Sequence, residues 1–135
     1  MFYRTPKSGN GCTRVSVKAM DKHFPRLGKI ATVTAYKVKS SVMIDGDKYP
    51  TVHPRIMVTD VKGNKMRLNG LLWGYMGEGP HGTVKLLTLC GMNERDAMDI
   101  VESQPNNYYS MSKKGRIFEK VFTVNFQKKT LTTHI

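Results

Sequence analysis

Two β-type runs, residues 55–61 and 65–73, flank Lys62-Gly63-Asn64, and this hairpin signature constrains the fold more than any other feature of the chain. Successive side chains of a strand point to opposite faces, so Met66, Leu68 and Gly70 share one face and Lys65, Arg67 and Asn69 the other. Upstream, residues 29–38 form another β-type segment, although Ile30, Thr32, Thr34 and Tyr36 alternate against Val33 and Ala35 and leave its register open. Residues 41–44 lead into a further turn signal, Asp45-Gly46-Asp47. Residues 13–18 alternate with β-branched positions and are expected to form a strand, followed by a loop over 21–28 punctuated by Pro25 and Gly28. Residues 12–75 therefore read as basic antiparallel strands in a meander, and short strands at this spacing curl into a small partial barrel.

The pattern then changes. Residues 83–90 are Leu-rich and end at Gly91, and Asn93 opens a run in which Ala97, Ile100 and Val101 fall at i, i+3, i+4. Asn93 with Asp96 resembles a capping box, Met92 and Ala97 sit where a hydrophobic staple would, and Pro105 ends the run. A helical hairpin is expected over 83–103. Residues 115–127 return to alternation, with Arg116, Phe118, Lys120, Phe122, Val124 and Phe126 on one side of a strand that is expected to bend. Residues 1–11 read as a loose arm or irregular first strand, and 128–135 as a tail that frays. The expected class is α+β, a single domain over 1–135: an antiparallel sheet or small partial barrel with one helical hairpin and a late returning strand.

Charge is unevenly placed. The net charge of +12 divides into +10 over residues 1–70, −3 over 71–112 and +5 over 113–135. A basic majority interrupted by an acidic segment suggests that one part of the molecule faces a polyanion and another does not. The longest apolar-leaning stretch, 68–75, is too short and too glycine-broken to span a membrane, and residues 1–6 lack the apolar core of a secretory signal. Two cysteines, Cys12 and Cys90, make no disulfide or metal framework. The expectation is a cytoplasmic protein with reduced thiols and no cofactor.

Two sets of residues are candidate sites. The first is a basic sheet face of Lys37, Lys39, Arg55, Lys65 and Arg67, with Lys113, Lys114 and Arg116, which would contact nucleic-acid phosphates. Aromatics in or beside basic segments (Tyr36, Tyr49, Trp73, Tyr75, Tyr108, Tyr109, Phe118) are of the kind that hold unpaired bases, although Trp73 and Phe122 sit in apolar surroundings that suit a core. The second is the glycine-rich segment 74–83. If Thr83 caps a following helix, Tyr75, Gly77, Gly79, His81, Gly82 and Thr83 would form a loop able to cradle a phosphorylated nucleotide. It is neither a Walker A motif nor a dinucleotide fingerprint. The alternative is a glycine-rich connector.

Enzyme readings are weak. His81-Gly82-Thr83 matches one His-x-Thr unit of the two-histidine phosphoesterases, and the second unit is missing. Asp60-Val61-Lys62 with Asp45 or Asp47 has the order of a metal-dependent nuclease, but at a hairpin tip Asp60 reads as a turn former. Cys90 reads as a buried free thiol, and the histidines follow no metal spacing. The acidic run 93–102 would be repelled by DNA in a helix-turn-helix, so it is expected to pack or to meet a protein. The leading expectation is a small non-enzymatic nucleic-acid binder. The alternatives are a nucleotide-sequestering loop at 74–83 or an inhibitor of an acidic host or partner protein, and the size and methionine content suit a small viral or accessory protein. An exposed sheet edge leaves homo-oligomers open.

Overall fold

The structure is a computed structural model that describes residues 2–4, 13–39, 52–108, 110–112 and 115–134. Its class is α+β, with three α-helices and an open six-stranded sheet among the described residues. The strands are β1 (Phe2–Arg4), β2 (Ile30–Lys39), β3 (Val52–Asp60), β4 (Lys65–Leu68), β5 (Phe118–Asn125) and β6 (Thr130–Thr133); the helices are α1 (Thr13–His23), α2 (Glu78–Leu89) and α3 (Glu94–Ser103). The sheet order is β1-β4-β3-β2-β5-β6; every pairing is antiparallel except β1 with β4. The expected turn at Asp45-Gly46-Asp47 lies outside the described residues.

Alternation along the strands builds the core. Met66, Val58, Val33 and Val124 lie in one cross-strand row and Leu68, Ile56, Ala35 and Phe122 in the next, and all eight are buried. Met20 of α1, Leu86 and Leu87 of α2, and Ala97 and Val101 of α3 join the same core, so all three helices pack on this one face.

Residues 13–18 are helical rather than extended. Ser16, Ala19 and Met20 are buried at helical spacing, and the Ser16 hydroxyl donates to the Asn69 carbonyl at 2.6 Å. Burial of that stripe outweighs the local β preference of Val15 and Val17. The helical hairpin is present, but α2 begins at Glu78, five residues before the expected start. Pro80 falls in its first turn, where a proline costs no hydrogen bond. The bend is a Schellman arrangement: Met92 N–H donates to Leu87 O, Gly91 N–H to Thr88 O, and Gly91 has φ +112°. Asn93 caps α3 by accepting from Arg95 N–H at 2.9 Å, not through a capping box with Asp96. The tail does not fray over its whole length, because β6 pairs with Phe122–Asn125 of β5 through a turn in which Asn125 Oδ1 accepts from the N–H groups of Gln127 and Lys128.

Candidate nucleic-acid interface

The face of the sheet opposite the helices is read off the same registers. One row crosses Lys65, Thr59, Thr32, Asn125 and Thr130; the next crosses Arg67, Met57, Thr34, Thr123 and Thr132. Beyond them Arg55, Tyr36 and Lys120 form a third row, then His53, Val38 and Phe118 a fourth. Among the described strand residues this face carries Arg55, Lys65, Arg67 and Lys120 and no carboxylate. Arg4 lies opposite Arg67 in the parallel β1–β4 register. The described carboxylates lie elsewhere: Asp60 at the end of β3 and Glu119 on β5 point to the other side, Asp21 is on α1, Glu78 on α2, and Glu94, Asp96, Asp99 and Glu102 on α3. Charge is thus divided between a basic sheet face and an acidic α3 in the layer behind the other face.

The cations on that face interact. Burial and the neighbouring Arg67 charge lower the Arg55 pKa from its ordinary value, with Tyr36 acting in the opposite sense. Two guanidiniums gathered on one half-buried surface make a place where an incoming anion relieves repulsion. Burial, then Arg55, lowers the pKa of His53, which keeps the imidazole neutral at pH 7. Tyr36 packs against Phe118 with ring centroids 5.0 Å apart and planes tilted by 34°. Thr34 and Thr123 hydroxyls lie 3.3 Å apart, and Thr123 Oγ1 is 3.0 Å from His134 Nε2.

Of the expected phosphate-binding residues, Arg55, Lys65 and Arg67 do share this face. Lys37 does not. It lies on the helix side with 1% of its surface exposed, and its Nζ donates to Asn107 O, Asn107 Oδ1 and Ser110 O at 3.2, 3.1 and 2.8 Å. Glu119 Oε1 sits 3.7 Å away. All three ammonium protons therefore serve to fasten Asn107 and Ser110 to the sheet. Truncation in Lys37→Ala should cost about 2–4 kcal/mol, because it strands those acceptors and a paired carboxylate; urea unfolding followed by circular dichroism checks this. Lys39 also falls on the helix side by alternation and is half-buried. Lys113 and Lys114, with Tyr49, Tyr109 and Asp47, lie outside the described residues. Arg116 is exposed, two residues before β5.

Lys120 joins the face although the alternation pairs it with Phe122. The β2–β5 register shifts between Ala35–Phe122 and Tyr36–Lys120, so Val121 is an extra residue. This bulge reverses the facing of everything before it. Phe118 and Lys120 consequently lie opposite Phe122 rather than beside it, while Glu119 turns toward Lys37.

The glycine-rich segment has a packing explanation. Thr83 is not a cap: it lies buried inside α2, its hydroxyl donating to Leu72 O at 2.6 Å, and Gly77 occupies the cap position. A Cβ on Gly79 would meet the Leu72 side chain at 3.0 Å, and one on Gly74, at φ +85°, would meet the Gln104 carbonyl at 2.5 Å. These glycines permit close approach of the protein to itself. Gly82 is buried in α2, His81 is exposed on it, and Tyr75 is 40% exposed and edge-on to Tyr108. As expected, Trp73 and Phe122 are core.

Asp60 is occupied as a turn holder. Its carboxylate accepts from the N–H groups of Gly28, Lys62 and Asn64 at 2.9, 2.9 and 2.8 Å and from Asn64 Nδ2 at 2.9 Å. The Gly28 bond leads the stabilisation of its charge; with the bonds from Asn64 and Lys62 it outweighs burial and brings the pKa down to about 2. Since the folded pKa lies below the ordinary 3.8, the unfolded chain takes up the proton first. This contribution is present above pH 3.8 and should disappear as pH falls toward 2. Urea titrations at pH 5 and pH 2.5 should show a smaller difference for Asp60→Asn than for the natural chain. Cys90 is a poor nucleophile, because burial pushes its thiol up to about 12. Among the described residues no group of three His, Cys, Asp or Glu side chains is placed to hold a metal, and no helix is long and apolar enough to cross a membrane.

Comparison of the chain with protein-family models, with curated proteins and with solved structures finds no match. The geometry alone therefore carries the functional reading.

Proposed function

We propose that the chain is a non-enzymatic nucleic-acid-binding protein that meets phosphates with the face of its sheet opposite the described helices. The observation that carries this reading is the separation of charge across the sheet: Arg55, Lys65, Arg67 and Lys120 on one face that has no carboxylate among the described strand residues, and the acidic α3 on the layer behind the other. A surface of one sign attracts a polyanion from a distance and orients it toward that face. The competing nucleotide-cradle reading of segment 74–83 loses its main support, since Gly79, Gly82 and Thr83 are buried in packing.

The test is a titration with short single-stranded and duplex RNA and DNA at two salt concentrations. Binding should weaken steeply with salt. Absence of binding to every one of them at low salt would sink the proposal. The acidic layer supplies a second check. Glu94→Lys combined with Asp99→Lys alters two exposed side chains on the far side and should leave the affinity no weaker than that of the natural chain. A large loss would put α3 in the interface.

A further inference from the structure

The sheet face ends in a cleft whose chemistry names the form of nucleic acid it takes. β6 pairs only with Phe122–Asn125, so the Phe118–Lys120 end of β5 extends beyond that ladder. There a cleft of about 530 Å³ is lined by Ser112, Arg116, Phe118, Glu119, Lys120 and His134. Phe118 is 46% exposed. Tyr36 supports part of its ring, at 5.0 Å, and the remainder is open. Arg116 and Lys120 flank it two residues to either side. The one carboxylate in the cleft, Glu119, is already engaged by Ser112 N–H at 2.8 Å and by Lys37 at 3.7 Å. His134 Nε2 lies 3.0 Å from Thr123 Oγ1.

We propose that this cleft takes a single strand, with one base stacked on Phe118 and the adjoining phosphates met by Arg116 and Lys120; the inference rests on the nucleic-acid reading above. A duplex buries its base faces against one another and offers this surface only phosphates and grooves. An unpaired base offers a flat π-face to an open ring. An exposed phenylalanine backed by a buried tyrosine is already held in place for that contact, and cations on both sides keep the strand over it.

The experiment uses fluorescence anisotropy on the full chain with three labelled probes at low salt: a twelve-nucleotide oligo(dT), an abasic phosphodiester of the same length, and a duplex of that length. The oligo(dT) should bind roughly tenfold or more tightly than the abasic strand. Phe118→Leu should bring oligo(dT) down to the abasic level without changing the salt slope, because it removes no cation from the phosphates. Phe118→Trp should retain the affinity. Equal binding of oligo(dT) and the abasic strand, or full oligo(dT) affinity in a folded Phe118→Leu variant, overturns the stacking inference and leaves the phosphate-binding face standing. Failure of all three probes to bind overturns the nucleic-acid reading and this inference with it. If Phe118→Leu does not fold, the comparison of oligo(dT) with the abasic strand on the natural chain decides alone.

Discussion

Reversing Lys65 and Lys120 together, as Lys65→Glu with Lys120→Glu, should weaken nucleic-acid binding by about tenfold or more near physiological salt and lower the salt slope by about two, one for each phosphate no longer neutralised. Both side chains are exposed, and they sit on β4 and β5, on opposite sides of β3 and β2, so the change crosses the width of the face. Neither side chain is in the core, so the fold should survive. The control is Lys18→Glu with Arg95→Glu, which makes the same change in net charge on exposed positions of α1 and α3. If binding followed total charge alone, the two pairs would weaken it equally. If it follows the sheet face, only the first pair does so strongly. Equal losses would refute the assignment of the interface to this face.

Trp73→Ala should be the most damaging single substitution for stability, at about 3–5 kcal/mol. Trp73 is fully buried, edge-on to Tyr108 at 5.4 Å and to Phe122 at 5.9 Å. Its indole N–H donates to Pro105 O at 2.8 Å, and its backbone N–H donates to the Tyr108 hydroxyl at 3.0 Å. The side chain thus ties the segment leaving the sheet to the chain that follows α3. Truncation opens a cavity and leaves the Pro105 carbonyl without its donor. For a domain whose whole stability is about 5–15 kcal/mol, that is a drop in melting temperature on the order of 10–20 °C. Trp73→Phe keeps one six-membered ring but loses the pyrrole part of the indole together with its donor, so it should cost about 1–3 kcal/mol. Thermal unfolding of the two variants followed by circular dichroism compares loss of the whole side chain with loss of the pyrrole part and its donor. A Trp73→Ala variant as stable as the natural chain would mean that the aromatic cluster contributes little.

Local signals made some of this legible. The hairpin of β3 and β4 could be read because Lys62-Gly63-Asn64 interrupts a two-residue alternation, and Met66 and Leu68 are buried while Lys65 is exposed, as that alternation requires. Asn93 as a cap and Ala97 with Val101 as a buried stripe were equally readable, because a helix start and a helix face are set within a few residues. Ile100 completes the stripe but stays partly exposed. Three of the basic residues assigned to a common face, Arg55, Lys65 and Arg67, are indeed together, since two neighbouring strands keep their own parity.

The rest depended on partners far along the chain. Helix α1 forms because Ser16, Ala19 and Met20 find a sheet to cover, with Ser16 bonded to Asn69, 53 residues on, whereas residues 13–18 alone favour a strand. The fate of Lys37 was set by acceptors on Asn107 and Ser110 and by Glu119, which no spacing around Lys37 announces. The glycines of segment 74–83 suggest a ligand loop in isolation; only Leu72 and Gln104 reveal that they make room for the protein itself. Most consequential is the bulge at Val121. Parity along a strand is a local property, but a shift of register exists only between two strands. Pairing with β2 placed Phe118 and Lys120 on the basic face and Glu119 behind it. The basic charge, the hairpin and the acidic helix follow from neighbouring residues in the chain. Which side chains share the face opposite the helices was settled by strand pairing, because sidedness in a sheet is fixed by the partner strand.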